Sequence, residues 1–117
     1  MRAGRHACFD RLTIELGSGP QPAYAVRYVR QILGIGSGLP LAVRGGARLQ
    51  ITIRGPASGN LLGDEVAQVT GFQTFRQVRG AGSFENVTVL GLGVRSRLPF
   101  RVFRLPDPSR LIVDVAH

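Results

Sequence analysis

The chain has 117 residues, 44% of them hydrophobic and none tryptophan, and fifteen basic residues against seven acidic ones give a formal net charge of +8. That length suits a single domain over residues 1–117 with a core that needs no metal or disulfide staple, while sixteen glycines and seven prolines break the chain too often for long helices. No apolar run reaches the roughly 20 residues of a membrane-spanning helix, and the single cysteine, Cys8, excludes an internal disulfide and a cysteine-based zinc site.

The opening stretch MRAGRHACFD lacks the apolar run of a signal peptide. The protein is therefore expected either to be cytoplasmic or to follow an export segment outside this sequence. Cys8 reads as a buried thiol acting as a small hydrophobe. From Arg11 the alternation RLTIEL predicts a strand, with Leu12, Ile14 and Leu16 inward and Arg11, Thr13 and Glu15 outward. Tyr24–Arg30 is assigned to a strand, although Ala25, Tyr28, Val29 and Ile32 also fit the spacing of a short helix. Leu41–Val43 follows as a short strand. The clearest period-two segment is Arg48–Arg54, RLQITIR, with Leu49, Ile51 and Ile53 on a dry face and Arg48, Gln50, Thr52 and Arg54 on a wet, cationic one.

Residues 57–75 carry weak periodicity and read as an irregular connection with at most one helical turn. Arg76–Arg79, Val87–Val94, Phe100–Leu105 and Leu111–Val115 complete the strands. The segments GSGPQP, GSGLP, RGG, RGPASGN, RGAGS and LPDPSR supply the turns. About eight short strands with at most one short helix predict an all-β fold, a compact antiparallel β-sandwich. The glycines of GIGSG and of Gly91–Leu92–Gly93 belong to turns and strands, because no lysine and no following helix completes a phosphate-binding loop.

Catalytic chemistry has little material. The histidines, His6 and His117, stand near the chain ends, and no spacing brings a nucleophile to a base and an orienting group. No metal site and no cofactor is expected, and the chain is not read as an enzyme. The two ends do offer complementary charges, with Asp10 and Arg11 at one end and Arg110 and Asp114 at the other. Neighbouring strands would let them form two Asp–Arg pairs that pin register or line a polar groove.

Every basic residue other than histidine is arginine, whose planar fork meets carboxylates and phosphates two bonds at a time. Arg27 and Tyr28, Arg48 and Arg54, and Arg101 and Arg104 are the candidate ligand-binding residues, favouring an anionic partner. Arginines beside aromatics also fit single-stranded nucleic acid, but most of the six phenylalanines lie in apolar segments that core packing would claim. Nucleic acid is therefore not the expected partner.

Two stretches carry a family resemblance. HACFDRLTIEL with YAVRYV, and later GSFENVTVLGLGVRSRLPFRVFRLPDPSRLIVDVAH, resemble the two halves of the AMIN-like domain of actinobacterial cell-envelope proteins. The ending Asp107-Pro108-Ser109-Arg110-Leu111-Ile112-Val113-Asp114 resembles the closing motif of the wider AMIN group. The resemblance implies a compact β-sandwich, a non-catalytic targeting module behind a signal or lipoprotein segment, and an exported location in the envelope or outside the cell. The partners it implies are peptidoglycan or an envelope protein such as a secretin, and the +8 charge with the cationic face of RLQITIR extends the expectation to other anionic cell-wall polymers, phosphate-bearing ones among them. No catalytic residues come with it, and Asp10, Arg11, Arg110 and Asp114 match its pattern.

Overall fold

A computed structural model describes residues 1–17, 21–55, 61 and 63–117. Among them are eleven strands: β1 (Arg2–Arg5), β2 (Phe9–Glu15), β3 (Ala23–Val29), β4 (Ile32–Leu33), β5 (Pro40–Leu41), β6 (Ala47–Arg54), β7 (Gly63–Ala67), β8 (Phe75–Phe84), β9 (Val87–Val94), β10 (Phe100–Leu105) and β11 (Arg110–Ala116). They form a four-stranded sheet in the order β1-β2-β11-β10, a five-stranded sheet in the order β3-β6-β9-β8-β7, and the small hairpin β4-β5. Every strand pairing is antiparallel. The fold is all-β, as the sequence predicts.

Alternation places the core. Leu12 and Ile14 on β2, Leu49, Ile51 and Ile53 on β6, Leu90 and Leu92 on β9, and Val113 and Val115 on β11 are fully buried. They belong to one apolar cluster drawn from both larger sheets. Fully burying each such side chain contributes about 1.5–3 kcal/mol before conformational entropy is charged against it.

A second, smaller cluster of Ile32, Val43, Ala81 and Val89 lies elsewhere. It forms where the β4-β5 hairpin covers the outer face of the five-stranded sheet, and the strand glycines make that approach possible. A Cβ on Gly91 would stand 2.8 Å from Ile32 Cγ1 and 3.1 Å from Val43 Cγ2, closer than carbon atoms pack. This cover changes the expected wet face of β6. Arg48 and Gln50 are half-buried and Thr52 is buried, and only Arg54 is exposed.

Other departures follow from sequence signals that mislead. Arg2–Arg5, Ile32–Leu33 and Gly63–Ala67 are strands although none alternates in hydrophobicity. RGAGS is not a turn but the middle of β8, where the register shifts between Gly80 and Gly82. The turn comes later, at Glu85 and Asn86, both at positive φ (49° and 66°), as a two-residue hairpin with the twist of its strands requires. Cys8 is exposed rather than buried, since it sits in the tight turn that the His6 amide closes on the Phe9 carbonyl at 2.9 Å. Of the six phenylalanines only Phe75 is fully buried, and Phe84 is 61% exposed. Parts of the expected turns GSGPQP and RGPASGN, and residues 57–60 and 62 of the connection read as irregular, lie outside the described residues.

Candidate functional site

Strands β3 and β10 are each the terminal strand of their sheet, and they lie along the same side of the sandwich. The Tyr28 hydroxyl donates to the Leu98 carbonyl, and the Tyr28 ring meets Phe100 edge-on with centroids 5.5 Å apart. Farther along, Arg104 donates to the Pro22 carbonyl and lies over the Tyr24 ring at 4.7 Å. At the other end Arg97 lies over Tyr28 at 5.3 Å. Tyr24 and Tyr28 are four residues apart on one strand, so the two arginine–tyrosine stacks repeat at about 13 Å along this side. Burial raises the Tyr28 hydroxyl above its ordinary pKa, while the Leu98 carbonyl contact and the Arg97 charge pull the other way.

Around the Arg97 end opens a cleft of about 720 Å³ lined by Arg27, Tyr28, Val29, Arg30, Gln31 and Arg97. Among the described residues no carboxylate pairs with Arg27, Arg30 or Arg97. Three unneutralised guanidiniums around one concavity make a positive potential well for anions.

Around the corner, on the outer face of the four-stranded sheet, Arg101, Asp114 and Arg11 stand in one cross-strand row on β10, β11 and β2. Asp114 Oδ1 accepts from Arg11 Nε at 2.7 Å, and Oδ2 accepts from Arg11 Nη2 at 2.9 Å and Arg101 Nε at 2.8 Å. Burial pushes the Asp114 carboxyl up, but the hydrogen bonds and charges of Arg11 and Arg101 outweigh it and hold it below the ordinary carboxylate value. The same bond raises Arg11.

Of the residues singled out from the sequence, the structure gathers Arg27, Tyr28 and Arg104 along the β3–β10 side and puts Arg101 just beyond it. Arg48 and Arg54 do not join them. Arg48 donates to the carbonyls of Val43, Arg30 and Gly45 at 3.3, 3.1 and 3.3 Å, which spends its donors on holding the hairpin. Arg54 is exposed on the outer face of β6, next to Ala23 and Val87 in register.

The charged pairs expected between the chain ends form only in part. Arg11 and Asp114 pair, but Asp10 and Arg110 do not, because adjacent residues on a strand face opposite ways. Asp10 points inward, fully buried, where Oδ2 accepts from the Thr74 and Phe75 amides at 2.8 and 3.0 Å. Thr74 Oγ1 in turn meets His117 Nδ1 at 2.8 Å. Arg110 turns back to the carbonyls of Pro108 and Pro106 at 2.9 and 3.0 Å.

Sequence reasoning left Arg97, Phe9 and Phe103 out of the site. A usable signal existed for the phenylalanines. Phe9-Asp10-Arg11 and Arg101-Val102-Phe103 each set a phenyl and a guanidinium two apart, hence on one face of a strand.

No curated protein and no solved structure matches the chain. A family model for the AMIN-like domain matches residues 1–117, and the chain belongs to that family, a membership that suggests a non-catalytic, envelope-associated module.

Proposed function

We propose that this protein is a non-catalytic binding module, exported to the cell envelope, that docks on an anionic cell-wall polymer. Peptidoglycan and phosphate-bearing wall polymers both present suitable anions. The observation that carries the reading is the cleft at the β3 edge, where Arg27, Arg30 and Arg97 meet with no carboxylate partner among the described residues. Arg104, stacked on Tyr24, extends the cationic track along the same side. A repeating polyanion gains from such a track because each neutralised charge releases counterions and several weak contacts act together.

The test is co-sedimentation with purified cell wall at low and high salt. Binding that weakens with salt, and that is lost when Arg27, Arg30 and Arg97 are changed together to alanine, supports the reading. No binding, or binding indifferent to salt, overturns it.

The free edge of β3 favours a second reading, a protein-interaction module. β3 pairs with β6 along Ala23–Val29, and among the described residues its other edge makes no backbone hydrogen bond. An extended partner segment could add a strand there. Capture of one envelope protein that persists at high salt would favour this reading over polymer docking.

A further inference from the structure

We infer that the outer face of the four-stranded sheet carries a separate site for a single carboxylate borne on a short apolar body, such as the C-terminus of a small peptide, with Arg101 as its anchor. The geometry starts from how Asp114 is used. It is 3% exposed, and its two oxygens take three hydrogen bonds, two from Arg11 and one from Arg101 Nε. Arg101 therefore commits only Nε to the protein. Its two Nη groups have no protein acceptor among the described residues, on a side chain that is 61% exposed. That end-on pair of donors is the fork that accepts one carboxylate in two parallel bonds.

The fork is also held still. The Arg101 guanidinium lies over Phe9 at 5.0 Å and Phe103 at 5.7 Å, and Arg11 lies over the same two rings at 5.3 and 5.6 Å. With Nε tied to Asp114 and the plane resting on two phenyls, most of the side-chain entropy a ligand would otherwise cost is already lost. The backbone ladders already fix the register of β2, β11 and β10 over seven and six residue pairs, and the Arg11–Asp114 pair alone neutralises the Asp114 carboxylate. The second arginine is surplus to that task and leaves the cluster with one net positive charge, which suits a monoanion better than a phosphate dianion.

Beside Arg101 and Asp114 opens a cleft of about 260 Å³ whose other walls are Cys8, Phe9, Pro99, Phe100 and Ala116. Those walls are mostly apolar and the space is small. It accepts a side chain or two next to the carboxylate, not a length of polymer.

The site is tested by titrating the whole protein with N-acetyl-alanyl-alanine, with the same dipeptide as its C-terminal amide, and with inorganic phosphate, following backbone amide shifts. Binding of the free acid is expected with Kd on the order of 1 mM, with shifts centred on Cys8–Arg11, Pro99–Phe103 and Asp114. The amide should bind about ten-fold more weakly or not at all, and phosphate should not compete.

Arg101→Gln should abolish the response, and Arg101→Lys should not restore it, because an ammonium lacks the fork. Both variants keep the Arg11–Asp114 pair, and a cooperative thermal melt, lowered only by the lost Arg101–Asp114 bond, will show that they fold. Equal binding of acid and amide, competition by phosphate, or an undiminished response in Arg101→Gln overturns the inference. Cell-wall sedimentation of Arg101→Gln separates the two sites. The cleft arginines of β3 are intact in that variant, so wall binding should persist while the peptide response is lost.

Discussion

Arg11 on β2 and Asp114 on β11 stand directly opposite each other in the ladder and are joined by two charge-assisted hydrogen bonds of 2.7 and 2.9 Å. The carboxylate is almost fully buried and the guanidinium about a quarter exposed, so the pair is worth less than a fully desolvated one and more than a surface bridge. Asp114→Ala is expected to destabilise by about 2–3 kcal/mol in urea denaturation, mostly by leaving two arginines without an acceptor.

The pair also predicts acid sensitivity. Because Asp114 is held below its ordinary pKa in the folded state, its ionised form stabilises the fold above about pH 4 and is progressively lost as pH falls through the depressed value. The stability gap between the protein and Asp114→Asn should therefore be full at neutral pH and narrow below about pH 4. A gap that stays constant from pH 7 to pH 2 would mean that the charge does not contribute.

Asp10 predicts a larger loss for a different reason. Its carboxylate is fully buried and accepts the amides of Thr74 and Phe75, which anchors the start of β8 to the start of β2. Asp10→Ala strands two buried N–H donors at about 1–3 kcal/mol each, so the total should exceed that of Asp114→Ala. Gln68→Ala, at an exposed position, serves as the control and should change stability by less than about 0.5 kcal/mol. Chemical denaturation of the two variants side by side decides it.

How much of this was legible in one dimension varies by element. Val87–Val94 and Phe100–Leu105 are strands to the residue, because an apolar run and an alternating run were each bounded by polar or proline-containing breaks. Arg2–Arg5 and Gly63–Ala67 were invisible, since short edge strands bury little and need no apolar pattern. RGAGS looked like a turn because glycines mark turns, yet here they serve a register shift inside β8.

The site shows the same division. The Arg11–Asp114 pair was legible from charges at the two ends, and the proposed Asp10–Arg110 partner pair failed on the two-residue period that sends Asp10 inward. The meeting of Arg27 with Arg97 depends on which strands end the sheets, that of Arg101 with Phe9 on β11 lying between β10 and β2, and no local pattern encodes either.

Gly91 gives a test of the second, smaller core. Its Cβ would press on Ile32 and Val43, both in the cluster that seals the β4-β5 hairpin to the sheet. Gly91→Ala should cost about 1–3 kcal/mol by overpacking. The damage should be local, with amide exchange rising over Ile32–Val43 while the β2 and β11 amides keep their protection. Uniform loss of protection would show that the hairpin and the main core open as one unit.

Tyr28 joins stability to binding on the β3–β10 side. Its hydroxyl bonds the Leu98 carbonyl, its edge packs on Phe100, and its face carries Arg97. Tyr28→Phe removes only the first of these and should cost about 1 kcal/mol, leaving Arg97 in place and salt-sensitive wall binding nearly unchanged. Tyr28→Ala removes all three. It should destabilise by about 2–3 kcal/mol, less than a fully buried aromatic because the ring is half-exposed, and should also weaken wall binding by releasing Arg97 from its platform. Urea denaturation and sedimentation on the two variants separate the roles. If Tyr28→Ala bound cell wall as well as the parent does, the ring would matter to the fold alone, and Arg97 would need no support to act.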